Sequence, residues 1–343
     1  MTAGVEWYRS AQPAPRVKRT LRRAVRDAIR GALPEPDVSG HVIVMQSRRT
    51  LPTLSREGWR SQYHGLFSEF QSVLGALAYA RHHGAAGVRV HFESPLYVDS
   101  SHGPNWWSYF FERDTMRVDG GSGQASEIRL DRVVTKYGRY GGFSDVVQGA
   151  TPYLYPMTFG VDRGTLHALA TTHATLRADV RDEATRIASG LFEPGAFVVG
   201  VHYRGTDAVH KWSGVLHHYR TGAVPYAAYL DEVRRVLTDV APRSFQVFVA
   251  TDEAAFADAA QTAFPGRVAL IDAPRAGTDR QPVHLTAGGS PYEKGRSAIL
   301  DALLLASTNY LVKGRSNLSD ASLIFNPDLP YSFRPDVAPG RMM

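Results

Sequence analysis

The chain of 343 residues contains no cysteine. Disulfides, thiolate metal sites and a cysteine nucleophile are therefore excluded. No apolar run approaches the ~18 residues of a membrane-spanning helix. The N-terminus lacks the apolar stretch of a secretory signal, so a cytoplasmic location is expected. A G-x-x-x-x-G-K-[ST] phosphate loop is absent. So are zinc-finger and RNA-recognition patterns and any D-x-D triplet. What is present is a 43% hydrophobic composition, enough to fill sizeable cores. The length suits two domains. A formal charge of +6, carried mostly by arginine, fits an anionic partner. Usage rich in Ala, Arg, Gly and Val suggests a GC-rich bacterial genome.

Residues 1–37 stand apart as a basic extension. Arg16, Lys18, Arg19, Arg22, Arg23, Arg26 and Arg30 alternate with Val17, Leu21, Val25, Ile29 and Leu33. That spacing predicts an amphipathic helix, ended by Pro34 and Pro36. Residues 16–33 either touch a membrane surface or partner, or pack on their own protein with a solvated charged face.

A strand–helix rhythm follows. Strands are predicted at 41–46, 87–92, 197–203, 245–251, 267–272 and 309–313. Helices are predicted at 67–83 (ended by Gly84), 166–191, 226–240, 253–264 and 293–307, with a last helix from Ser319 to Phe325. Residues 93–160 read as irregular and aromatic, and a Gly-rich loop surrounds Gly288 and Gly289. Apolar strands alternating with helices imply parallel sheets covered on both faces. Two such series predict an α/β chain of two domains, 38–192 and 193–343, with a cleft between them.

Three segments of the second half carry chemistry, each just past a strand, where open parallel sheets bind ligands. In His202-Tyr203-Arg204-Gly205-Thr206-Asp207 an arginine is presented at a strand end. Its planar fork suits a diphosphate, unless it is consumed by an ion pair with Asp207. Gly205 permits a tight turn or close approach. In Thr251-Asp252-Glu253 a hydroxyl and two acids open a helix, as N-cap and first-turn groups or as partners for a ribose or base. The third segment pairs Asp301, on a helix, with Lys313-Gly314-Arg315-Ser316-Asn317-Leu318-Ser319. There a helix start with unpaired N–H groups and two cations forms an anion site, or an ordinary capped loop.

The order H-x-R-x-x-D, A-T-D-E and an Asp-bearing helix followed by S-N-L-S resembles the three-motif signature of a fucosyltransferase superfamily. Its members include the α-1,6-, protein O- and nodulation fucosyltransferases. The motifs cover residues 197–322. The stretch from Tyr63 to Gln71 is similar to that superfamily's N-terminal glycine loop. The resemblance implies a GT-B-like pair of Rossmann-type domains with an interdomain cleft, and an inverting, metal-independent glycosyl transfer. It implies no cofactor beyond a nucleotide-diphosphate sugar, GDP-fucose or a related donor. It puts the phosphate contact on Arg204, nucleotide contacts on His202, Asp252 and Asp301, and the diphosphate loop at Ser316 and Asn317. Gly205, Asp207, Thr251, Arg315 and Ser319 complete the expected donor site.

The chain departs from the α-1,6-fucosyltransferase pattern. Gly205 stands in place of a second arginine, Ala208 of a lysine, Trp212 of an acid and Asn317 of a serine. Core-glycan fucosylation is therefore not expected. A general base, needed to take the acceptor proton, is sought among His64, Glu69 and His210, with His64 first; for Glu69 a solvent-facing position on the first helix turn is the alternative. Trp106 and Trp107 either line an acceptor pocket, together with His210, or pack a core. The acceptor is expected to be a small molecule, an oligosaccharide or a lipid-linked sugar. Two other readings stay open: a non-catalytic sugar-nucleotide or glycan binder, and a nucleic-acid binder working through the basic helix, although no nucleic-acid partner is expected.

Overall fold

The computed structural model describes residues 37–47, 53–55, 58–60, 64–118, 125–129, 162–205, 225–272, 289–314 and 316–333. The basic extension, the loop at Gly288, and Asp207, Ala208, His210, Trp212 and Arg315 lie outside them. The chain forms two compact units that interleave in sequence. One takes Met1–His64, Glu69–His91 and Thr115–Asp162; the other takes Gly65–Ser68, Phe92–Asp114 and Arg163–Met343.

The first unit holds a four-stranded sheet. Strand β1 (Val42–Gln46) is central, with β4 (Gly87–His91) and β6 (Glu127–Arg129) parallel to it on either side. Strand β5 (Thr115–Arg117) pairs antiparallel on β4. A separate antiparallel pair joins β2 (Thr53–Ser55) and β3 (Gly58–Arg60). The run VIVM of β1 is buried throughout, as a strand covered on both faces must be. Helix α1 (Leu66–His82) buries Phe70, Val73, Leu74, Leu77 and Ala80 completely. It ends as expected: Gly84 adopts a φ of 68°, and the Ala85 amide returns to the Ala80 carbonyl at 2.9 Å, a glycine-terminated C-cap.

The second unit is built on a five-stranded sheet, all parallel, in the order β11-β10-β7-β8-β9. These strands are β7 (Phe197–Tyr203), β8 (Phe245–Thr251), β9 (Val268–Ala269), β10 (Tyr310–Lys313) and β11 (Tyr331–Phe333). The chain runs β7, β8, β9 in one direction, then returns to the far side of β7 for β10 and β11. That is the doubly wound order, and its switch point lies between β7 and β10. Strands β7 and β8 occupy the residues predicted for them, because both are predominantly apolar runs buried almost throughout. Strand β9 is cut to two residues and serves as an edge.

Helices α5 (Tyr226–Val240) and α6 (Ala254–Ala263) cover one face. Tyr229, Val233, Val236, Phe256 and Ala260 pack there on Val199, Val201, Val247 and Val249. Helix α7 (Pro291–Ala306) covers β7 from the opposite face. A Cβ added to Gly200 would stand 2.9–3.1 Å from Thr308 and Leu305, so only glycine lets helix and strand approach this closely. Helix α7 opens with Ser290, whose hydroxyl accepts from the Glu293 amide at 3.2 Å, and with a proline in the first turn. Helix α8 (Asn317–Phe325) follows β10.

Two sequence expectations are corrected. Residues 166–191 were expected as one helix but form α3 (Arg163–Thr172) and α4 (Ala178–Leu191). The break arises because the intervening backbone pairs elsewhere: the Glu112 amide donates to Thr175, the Arg177 amide to Phe110, and Phe111 bridges Leu176. The segment 93–160, expected to be irregular, contributes the short helix α2 (Trp107–Phe110) as well as β5 and β6. Substituting Gly200→Val is expected to overpack the α7–β7 contact and cost about 1–3 kcal/mol, read as a lower urea midpoint with an unchanged m-value.

Candidate functional site

The carboxyl ends of β10, β7 and β8 are neighbours. In register, Lys313 pairs with His202 and His202 with Ala250. These residues therefore share one row across the sheet, and alternation puts their side chains on the face that α7 covers. His202 is buried, and its Nδ1 has no hydrogen-bond partner among the described residues. Burial is the largest cause pushing the imidazole pKa down, to about 3; the charges of Arg204 and then Lys313 add to it. His202 is therefore neutral at physiological pH, and the electrostatic coupling places Arg204 and Lys313 beside it. Arg204 is half-buried, directly past the end of β7.

Lys313 is not the loose phosphate cation that the sequence suggested. It is 2% exposed, and its ammonium donates to Asp320 at 2.6 Å. The pair ties the end of β10 to the first turn of α8. The start of that helix is capped from within the chain: the Ser316 hydroxyl accepts from the Leu318 amide at 3.3 Å. The Ser319 hydroxyl donates to the Ser316 carbonyl at 3.2 Å, and the Asp320 amide donates to the same carbonyl at 3.0 Å. Of the sequence-stretch Ser316, Asn317 and Ser319, only Asn317 is part-exposed; Ser316 and Ser319 are buried.

Past β8, Asp252 accepts from the Gly205 amide at 2.9 Å, so the second motif grips the loop of the first. The Thr251 hydroxyl oxygen accepts from the Glu253 amide at 3.2 Å. The expected N-cap chemistry is altered here. Glu253 occupies the N-cap of α6 but makes no side-chain cap bond, and the first turn holds no acid. Its carboxylate is buried instead and accepts from the Tyr226 hydroxyl at 2.7 Å. Asp301 is half-buried on α7. It lies one turn before Leu305, on the stripe that covers Gly200, nearer the carboxyl ends of the strands.

His202, Arg204, Gly205, Thr251, Asp252, Asp301, Ser316, Asn317 and Ser319 thus all belong to the second unit, at or near one end of one sheet. His64 and Glu69 belong to the first unit. His64 is half-buried, whereas Glu69 is completely buried, which removes the solvent-facing alternative. Trp106 and Trp107 are also completely buried. Trp106 stacks on Phe92 with centroids 5.2 Å apart, and Trp107 on Phe111 at 3.7 Å. The Trp107 indole N–H donates to the Arg113 carbonyl at 2.9 Å. Packing accounts for both rings, and neither offers an open face to an acceptor. Tyr226 escaped the sequence reading, and Glu253 entered it as a helix-opening acid or a partner for a ribose or base, not as the partner of Tyr226.

Beside β9, on the α7 side of the sheet, lies a hollow of about 360 Å³. Ile187 and Leu191 of α4, Ile271 and Asp272 past β9, and Ser297 and Leu300 of α7 line it.

No family model matches the chain, and no curated protein does. Solved fucosyltransferases are similar to it. The fucosyltransferase NodZ from Bradyrhizobium is 16% identical, over 84% of this chain and 94% of that one, with a TM-score of 0.46. A mutant of Arabidopsis thaliana FUT1 in complex with GDP is 12% identical, over 93% and 74%, also at 0.46. POFUT1 in its apo form is 11% identical, over 88% and 99%, at 0.42.

The depressed His202 pKa has a sign. The unfolded chain protonates this residue near pH 6.5, the folded chain only near 3. Between those values the unfolded state binds the extra proton, so stability falls as pH falls. At about 1.4 kcal/mol per unit, acidifying from pH 7 to 4.5 is expected to cost roughly 2–3 kcal/mol through this residue. His202→Leu should remove that share of the loss in urea titrations at the two pH values.

Proposed function

We propose that this protein is a glycosyltransferase that takes a GDP-sugar, fucose or a related sugar, and transfers it with inversion and without a metal. The observation that carries the reading is Arg204 at the switch point of a doubly wound sheet, beside a buried neutral histidine whose Nδ1 has no partner among the described residues. Ligands of such sheets bind outside the carboxyl ends at this point. The order of the three sequence motifs supports the same reading.

In the proposed reaction the bond between the anomeric carbon and the diphosphate oxygen breaks, and the acceptor oxygen bonds to that carbon from the opposite face. The electron pair of the broken bond leaves on the diphosphate. Arg204 faces this growing charge and stabilises it more in the transition state than in the ground state. The acceptor proton goes to a general base, for which His64 is proposed, with Glu69 and His210 as alternatives. His202, with its neutral ring, and Asp301 serve the nucleoside, and Asn317 with Arg315 serves the diphosphate. The acceptor is proposed to be a small molecule, an oligosaccharide or a lipid-linked sugar.

The hollow beside β9 offers room for the base. It lies on the His202 side of the sheet, two strands away, roughly 10 Å by strand spacing. Ser297→Trp, which fills it, is expected to weaken GDP binding at least tenfold, on the scale of an overpacked site, while leaving pyrophosphate binding unchanged; equal losses for both ligands would place the base elsewhere.

Arg204→Ala is expected to lower sugar release from GDP-fucose at least about a hundredfold, the usual scale for one transition-state donor, with the unfolding midpoint retained. Near-normal turnover in that variant would remove the assigned role. A wild-type protein that binds GDP-fucose without any turnover would instead be a sugar-nucleotide binder.

A further inference from the structure

We infer that Asp252 and Glu253 are positioning residues for Arg204, acting through the backbone of Gly205. The inference rests on the transferase reading above.

Gly205 is held from two sides. Its amide donates to the Asp252 carboxylate at 2.9 Å. A Cβ added to it would stand 2.8 Å from the Glu253 carboxyl carbon, closer still to Oε2, and 3.0 Å from the Tyr203 ring. Glu253 therefore occupies the space where any side chain at 205 would begin. The carboxylate itself is fixed: Oε1 accepts from the Tyr226 hydroxyl at 2.7 Å, and the residue's own amide is tied to Thr251 at 3.2 Å. Tyr203, whose ring stacks on Phe256 with centroids 4.3 Å apart, closes the third side.

Two details set this apart from ordinary packing. Glu253 sits at the N-cap of α6, where a side-chain oxygen normally accepts from the helix amides. It makes no such bond and turns to Gly205 and Tyr226 instead. Asp252 likewise spends an oxygen on the backbone of the Arg204 loop. Arg204 is the residue immediately before the clamped amide, so the peptide that aims its side chain has one available path. A guanidinium preset in this way loses little freedom when it meets the departing diphosphate. The same clamp excludes a second arginine at 205.

The test measures GDP binding and GDP-fucose turnover in two sets of variants. Asp252→Asn keeps an acceptor oxygen for the Gly205 amide and is expected to stay within about threefold of wild type, whereas Asp252→Ala falls at least about tenfold in kcat with KM little changed. Gly205→Ala is expected to lose at least about tenfold, and in the Glu253→Ala background most of that loss is absent, because only the Tyr203 ring, at 3.0 Å, still borders the space. Asparagine as harmful as alanine at 252 would mean that the charge of Asp252 acts on the ligand itself. An equal loss from Gly205→Ala in both backgrounds would refute the role of Glu253. The Asp252 pair decides the matter even where Gly205→Ala fails to fold. Wild-type protein without GDP binding or turnover defeats the transferase reading and this inference together; active wild-type protein with either adverse result defeats the clamp alone.

Discussion

The buried ion pair between Lys313 and Asp320 fixes the end of β10 to the start of α8, in register with His202 on β7. Two charges removed from water are expensive, and their attraction offsets the cost only when geometry is good. Here the contact is 2.6 Å and the lysine is almost wholly enclosed. Lys313 lies in register with His202, so removing Asp320 would take its carboxylate from the charge beside that ring. His202 stays neutral chiefly because it is buried, and the charges of Arg204 and then Lys313 add to that push. At this end of the sheet Lys313 is thus engaged by Asp320, while Arg204 lies half-buried directly past the strand end.

The motifs are interlocked rather than arrayed side by side. Asp252 reaches from the end of β8 to the amide after Arg204, and Glu253 fills the volume beside it. The departure from the fucosyltransferase pattern at Gly205 therefore has a physical counterpart in the next motif. A glycine and a glutamate, 48 positions apart, occupy together what a longer side chain would otherwise occupy alone.

Elements that bury apolar residues on both faces were legible residue by residue. FVVGVHY and FQVFVAT could be little else than central parallel strands. His202, Arg204 and Asp252 were singled out because each lies at the end of such a strand or directly past it. What escaped notice depended on partners distant in sequence. The helix break at 173–177 follows from pairing with residues 110–112, which no local periodicity records. Lys313 and Ser316 read as ligand groups, yet their side chains are engaged by Asp320 and the Leu318 amide. The tryptophans read as a platform or a core with equal ease, since aromatic clustering alone does not reveal which face is covered.

The interleaved assignment of segments to the two units has a practical side. Phe92–Asp114 belongs with Arg163–Met343, although Thr115–Asp162 lies between them. The tie is intimate: a Cβ on Gly295 of α7 would meet the ring of Phe110 at 2.9 Å. No single cut in the polypeptide therefore yields either half intact. A gene truncated before β7 in search of an autonomous five-stranded domain would strip α7 of its aromatic cover and expose the apolar ring-binding surface around Gly295 to water.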